Sequence, residues 1–297
     1  GSRQICYRKC CRFADRRAGA TGMPAPNEAG GTPAPSLRPI VEGWRVQRRV
    51  IGALILRELH VRFGRRNLGY LWLFAEPLLL GLAISTVHAL RDRGLGPRST
   101  VSVFAFFAIG YSLYYMFRAI VGRSTGCLAG SRPLLYHRIV TPLDMVTARH
   151  LLEGAACTVV VILMSFAVAA VEGLVPDDPM KMLVAVLLMM WLCHGLALLV
   201  AAGAERWEIV DRLTHPLIYL QLPFSGVFFL VDWLPGPLQE LALYNPTVHI
   251  FELLRDGQFG ENVNTTYDLA YVVGFAMAFH FLGLCAMRAV RPHMLME

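Results

Sequence analysis

Six long apolar runs constrain this chain more than any other feature. They cover approximately Leu71–Leu90, Val101–Ile120, Leu151–Val171, Met182–Ala202, Leu217–Leu234 and Leu269–Met287, with 18 to 21 residues each. A helix of that length spans a hydrocarbon core of ~30 Å. The runs therefore predict an all-α integral membrane protein with six transmembrane helices. The fifth run contains Pro223. Composition agrees: charged residues make up only 16%, against about a quarter in soluble domains. That shortage excludes a disordered chain and weighs against a soluble enzyme.

The formal charge is +7, but only Lys9 and Lys181 are lysines and the arginines crowd the ends of the apolar runs. That pattern fits topology determinants and anionic headgroups better than nucleic acid. With both termini in the cytoplasm, 23 Lys and Arg fall inside and 5 outside. Excess positive charge stays on the cytoplasmic side, which predicts that orientation. The seven cysteines build no disulfide framework: Cys127, Cys157, Cys193 and Cys285 are dispersed, and read as small buried hydrophobes.

Residues 1–39 read as a disordered tail, with five prolines plus Gly30 and Gly31 between residues 24 and 39. Gly1-Ser2 resembles a cloning scar and Met23 opens a more natural start, so residues 1–22 read as an upstream extension. Residues 40–292 form the six-span domain, and 293–297 a short C-terminal tail. Ile40–Leu59 reads as an amphipathic helix lying in the membrane interface. At 100° per residue, Ile40, Val41, Trp44, Val50, Ile51, Leu54, Ile55 and Leu59 share one half. Arg48 and Glu58 break the pattern. Before the last span, Leu238–Leu243 and Thr247–Leu254 read as short helices on the outer face, or re-entrant ones.

Enzyme machinery is missing. There is no phosphate loop, HExxH or CxxC pair. Four ionisable groups stand within or beside the spans: Glu76, Glu153, His194 and His280. Each reads either as a functional group or as one satisfied by a neighbouring helix.

Family resemblance enters at Leu56–Pro77. Its Arg57, Glu58, Arg62, Phe63, Leu68, Gly69, Trp72 and Pro77 resemble the R-E-x-x-x-R-[FY], L-G-x-x-W and proline pattern that opens the first span of type-2 ABC exporter permeases. Phe63, Tyr70 and Glu76 resemble the capsular-polysaccharide branch, KpsM-like permeases. Tyr136–Asp144 with Arg149 and Glu153 is similar to the loop and helix start after the second span. Asn245, Pro246, His249, Glu252 and Arg255 resemble the outer N-P-x-x-H-x-x-E-x-x-R motif.

The resemblance implies a transporter permease of the bacterial inner membrane, working as a homodimer with two copies of a separate ABC ATPase. ATP and Mg would be bound by that partner, with no cofactor in this chain. The implied cargo is a lipid-linked acidic polysaccharide. A periplasmic co-polymerase-type protein and an outer-membrane export channel would continue its route. Alternative cargoes are O-antigen, teichoic acid or a drug; an integral-membrane enzyme acting on a lipid-linked sugar is a second alternative, and a structural scaffold a third.

Three groups of residues are candidates within that reading. Phe104, Phe107, Tyr111, Tyr114 and Arg118 form one helical stripe, and Tyr219, Phe224, Phe228 and Phe229 a second aromatic surface. Aromatic faces suit sugar-ring C–H groups; the same stripe also reads as packing between helices. Trp72 reads as an entrance ring or an interfacial anchor. Arg62, Arg65 and Arg66 are placed to bind a lipid phosphate and linker sugars, or to anchor topology. Leu134, Leu135, Tyr136, His137 and Arg138, between Pro133 and Pro142, read as the helix that couples to the ATPase.

Overall fold

The computed structural model describes residues 38–63, 79, 81–83, 86–87, 102–130 and 140–294. The first apolar run falls largely outside these residues, apart from helical positions between Leu79 and Val87. Residues 43–297 form one contact unit; of residues 1–42, only the start of the first helix is described. Every long element among the described residues is helical: α1 (Arg38–Phe63), α2 (Val103–Gly122), α3 (Pro142–Glu172), α4 (Pro179–Arg206), α5 (Glu208–Phe224), α6 (Gly236–Leu243), α7 (Pro246–Phe259) and α8 (Leu269–Met294). Among the described residues, four helices are long and apolar enough to cross a membrane: α2, α3, α4 and α8.

The helix ends follow from local chemistry. α3 starts at Pro142, nine residues before the apolar run at Leu151. Thr141 caps it, accepting from Asp144 N while the Asp144 carboxylate accepts from Thr141 N, and Pro142 fits the first turn. At its far end Gly173 takes φ 70, the left-handed stop glycine favours. Asp178 caps α4, accepting from Met180 N and Lys181 N.

The fifth apolar run is not one helix. α5 ends at Phe224, Pro223 occupies its last turn, and Gly226 turns the chain at φ 93. A Cβ at Gly226 would stand 3.3 Å from the Val248 Cα. A short 3-10 turn at Val231–Trp233 replaces the rest of the run. The two expected short helices are present as α6 and α7.

α4 is the central element, packed by α2, α3, α5, α7 and α8. Its approach to α8 is close. A Cβ at Gly195 would lie 2.7 Å from the His280 backbone N, and one at Gly283 2.7 Å from the Leu198 Cβ. Small residues let membrane helices approach in this way, where no hydrophobic drive separates them from lipid. α2 is buried on nearly every side; only Phe104 and Arg118 are not.

Candidate functional site

At one end of the bundle lie the turns α3–α4 and α5–α8; at the other, rich in arginine, lie α1, the start of α3 and the α4–α5 turn. The N-P-x-x-H-x-x-E-x-x-R residues belong to the first end. Asn245 caps α7 through Thr247 N and donates to the Phe224 carbonyl, 2.9 Å. His249 bonds the Leu243 carbonyl at 2.8 Å and accepts from Asp268 N at 3.0 Å. Glu252 accepts from Val231 N at 3.0 Å and from Thr266 N at 3.1 Å. Arg255 donates to the carbonyls of Phe229 and Val227, and its guanidinium lies 3.7 Å from the Phe106 ring centre. The motif side chains thus satisfy backbone groups of the irregular stretches on either side of α7, Glu252 and Arg255 at 227–231 and His249 and Glu252 at 266–268. Buried loops need such partners, since unpaired polar groups are costly away from water. Burial pushes the Glu252 carboxyl up, while Val231 N–H, Arg255 and Thr266 N–H pull it back. Burial draws the Arg255 guanidinium down to about 9, and Glu252 opposes that.

The α2 stripe is brought together, but inside the protomer. Phe107, Tyr111 and Tyr114 are buried, and Phe104 and Arg118 half-buried. Phe107 meets Phe228 at 5.9 Å between ring centres, and Tyr114 donates to the Ile218 carbonyl of α5. Arg118 stands 5.5 Å from the Tyr115 ring and 5.7 Å from the Tyr219 ring. The α5 residues differ: Tyr219 is 58% exposed and Phe224 60%. Beside them runs an apolar groove of about 460 Å³, lined in part by Phe117, Leu196, Val200, Ile218, Gln221 and Phe224.

Three of the four ionisable groups have partners on other helices. Glu153 pairs with Arg123 at 2.6 Å. His194 Nδ1 and His280 Nε2 share a hydrogen bond of 2.7 Å, and Thr147 Oγ1 meets His194 Nε2 at 3.2 Å. His150 joins them, its ring 4.6 Å from that of His194. This third histidine had no local signal, because three helices supply the cluster. Among the described residues, no group of three or more His, Cys, Asp or Glu is placed to hold a metal ion. Glu76 lies outside the described residues.

At the arginine-rich end, α1 exists as a helix and its second half packs on the bundle. Leu54 is buried and Val50, Ile51 and Ile55 pack against the core, whereas Trp44 is 64% exposed. Arg149 pairs with Glu58 at 3.0 Å. Glu58 is one of the two residues that break the amphipathic pattern of that helix, and this contact is its reason. Trp72, Arg65, Arg66 and the 134–138 segment lie outside the described residues, as does the Arg62 side chain.

Long apolar helices, with charged groups paired across them, define a polytopic membrane protein. The family described as ABC-2 type transporter matches residues 49–259, and the chain belongs to that family. It is 39% identical over 235 residues to the capsule polysaccharide export inner-membrane protein CtrC of Neisseria meningitidis serogroup B, covering 78% of this chain and 87% of CtrC. It is 36% identical over 240 residues to BexB of Haemophilus influenzae, a protein with the same description, covering 80% and 90%. With the polysialic acid transport protein KpsM of Escherichia coli it shares 28% over 263 residues, covering 85% and 98%.

Proposed function

We propose that this chain is the permease of an ATP-driven exporter that moves capsular polysaccharide across the bacterial inner membrane. The observation that carries this reading is its similarity, over nearly their whole length, to proteins named for capsule polysaccharide export. The all-helical bundle fits a permease. The chain has no phosphate loop of its own, so hydrolysis falls to a separate ATPase subunit that binds ATP and Mg. In this reading two copies of the permease stand on two ATPase copies. A periplasmic co-polymerase-type protein and an outer-membrane channel receive the chain.

Six spans and cytoplasmic termini complete the arrangement. α1 lies in the interface, and α5 with the turn behind it supplies the fifth crossing. Cysteine labelling tests the topology: Asp177→Cys reacts from the periplasm, and labelling only from the cytoplasm would sink it. The cargo reading assigns Arg62, Arg65 and Arg66 to the anionic lipid end, where charge-assisted bonds hold phosphate. The sugar chain passes over aromatic faces, with Tyr219 and Phe224 in contact and the α2 stripe behind them. Weak contacts of ~0.5–1.5 kcal/mol per ring let a chain advance without trapping.

Leu134, Leu135, Tyr136, His137 and Arg138 meet the ATPase, with the apolar residues as anchors. The deciding experiment is co-purification with the ATPase followed by ATP-dependent transport of lipid-linked glycan. Leu135→Asp with Tyr136→Asp should abolish both assembly and transport. A variant that still assembles and transports with normal ATP dependence refutes the coupling role.

A further inference from the structure

Arg118 stands apart from the other arginines that pack on the bundle. Arg123 pairs with Glu153 of α3. Arg149 of α3 pairs with Glu58 of α1 and donates to the carbonyl of Arg123, the C-cap of α2. Arg255 donates to the carbonyls of Val227 and Phe229. Arg118 is half-buried in the spanning helix α2, and among the described residues no acidic side chain pairs with it. Its guanidinium lies instead 5.5 Å from the Tyr115 ring and 5.7 Å from the Tyr219 ring. Ring faces attract a cation, but they leave the N–H groups at its edge without an acceptor. An ionisable group at membrane depth takes a partner or faces a polar path.

α5 supplies the other side of that path. It runs beside α2 in the opposite direction: Tyr219 meets Arg118, and a Cβ at Gly122, one turn on, would stand 3.6 Å from His215 Cε1, one turn before Tyr219. Arg212, His215 and Tyr219 are all exposed and follow one another at helical spacing. They form a polar edge that leads from the arginine-rich end to Arg118. Ile209, Leu213, Leu217 and Leu220 are exposed on a separate, wholly apolar stripe. Lipid can cover that stripe. It does not suit the polar edge, which needs water or a polar ligand.

We infer that Arg118 binds a sugar carboxylate of the cargo, with the exposed ring of Tyr219 under the same sugar, and so selects acidic over neutral polysaccharide. This deepens the reading of the chain as a polysaccharide permease and rests on it. The planar fork of arginine matches the two oxygens of a carboxylate, which the single ammonium of lysine does not reproduce. A lipid phosphate would satisfy the charge equally well. The neighbouring ring favours the sugar: its face suits the C–H groups of the residue that bears the carboxylate, whereas a phospholipid headgroup needs the cation alone. Because Arg118 rests on rings rather than on an acid, it need not break an ion pair to meet a carboxylate. One cation among weak aromatic contacts also lets the chain go again as it advances.

The test uses the complete transporter with its ATPase in inverted membrane vesicles. It is supplied with a lipid-linked polysaccharide containing uronic acids, or with the same preparation after its carboxyls are reduced to alcohols. Reduction removes the sugar charge and keeps the lipid phosphate. The readout is the ratio of the two ATP-dependent transport rates, acidic over reduced. Wild type should favour the acidic chain about tenfold, the scale of one charge-assisted hydrogen bond, and Arg118→Gln should bring the ratio close to one. Tyr219→Ala should slow both chains alike, roughly threefold, because the ring meets the sugar whether or not it is charged. General loss of packing would also slow both chains and would not move the ratio. Should Arg118→Gln not assemble, Arg118→Lys carries the test, with a ratio between wild type and one. A ratio that stays at the wild-type value in the Arg118 variants overturns the inference. So does equal loss on both chains, which would assign Arg118 to the lipid phosphate or to packing. The two readings fail differently. If the chain is not a polysaccharide permease, wild type moves neither preparation. If only the role of Arg118 is wrong, wild type moves them and the Arg118 variants keep its ratio.

Discussion

α2 and α5 both carry aromatic residues expected along a cargo path, and the structure treats them oppositely. In α2, all but two side chains are buried within the protomer. In α5, only Thr214 and Ile218 are buried, and Tyr219 and Phe224 stand exposed. The helices touch: Tyr114 reaches across to the Ile218 carbonyl, and Arg118 stands beside Tyr219. The difference separates two environments that look alike in sequence. The buried aromatics meet other segments of the same protomer, as Phe107 meets Phe228. Exposed ones have surface left for a sugar ring, a lipid or a second copy of the chain.

The largest effect that tests this contrast is on stability. Tyr111→Ala with Tyr114→Ala removes two buried rings, and each should cost roughly 3–5 kcal/mol. The thermal midpoint of the detergent-purified protein should fall steeply. If this variant instead melts normally and loses only the export of long chains, α2 faces the cargo and the contrast is broken.

Arg255→Gln comes next. It leaves the carbonyls of Val227 and Phe229 short of a donor and removes the cation over Phe106. Breaking a buried charged group's contacts costs about 3–5 kcal/mol. Limited proteolysis should then cut first between residues 225 and 235, at the segment that arginine holds. Cleavage unchanged from wild type would mean that Pro223 and Gly226 suffice to shape the turn.

The α5 pair should behave otherwise. Tyr219→Ala with Phe224→Ala should shift stability by no more than ~0.5 kcal/mol, as exposed substitutions do. Export of long polysaccharide should fall about tenfold, the scale of two weak aromatic contacts, while short lipid-linked glycans still bind. Equal loss at every chain length would assign the surface to assembly rather than to the sugar chain. Arg118→Gln is the smallest change. Losing the cation beside two rings should cost ~0.5–1 kcal/mol, and a melt unaltered within error would leave those contacts without energetic weight.

Much of this was legible from residues alone. Apolar length marked α2, α3, α4 and α8, and alternation marked α6 and α7. Two boundaries moved for local reasons. The Thr141-Pro142 cap starts α3 earlier than its apolar run, because a capped, polar helical turn does not register as apolar. The fifth run reads as continuous because Gly226 is counted as small and apolar, whereas its positive φ ends the helix.

Side-chain partners were a different matter. Glu58 registered only as an irregularity in an amphipathic pattern. Nothing local says that Arg149, 91 residues away, is what it pairs with. His194 and His280 stood out as polar groups in apolar runs, but their shared hydrogen bond depends on how Gly195 lets α4 approach α8. Hydrophobic periodicity reports whether a residue avoids water. In a membrane chain lipid and protein are equally apolar, so periodicity does not distinguish a face turned to lipid from one turned to another helix. The sequence by itself therefore determined that the chain enters the membrane, which residues resemble an exporter's and where most helices lie. Only the tertiary structure decided that the α2 aromatics are buried, that Tyr219 and Phe224 on α5 are exposed, and that one arginine joins three helices, because each depends on contacts between segments far apart in the chain.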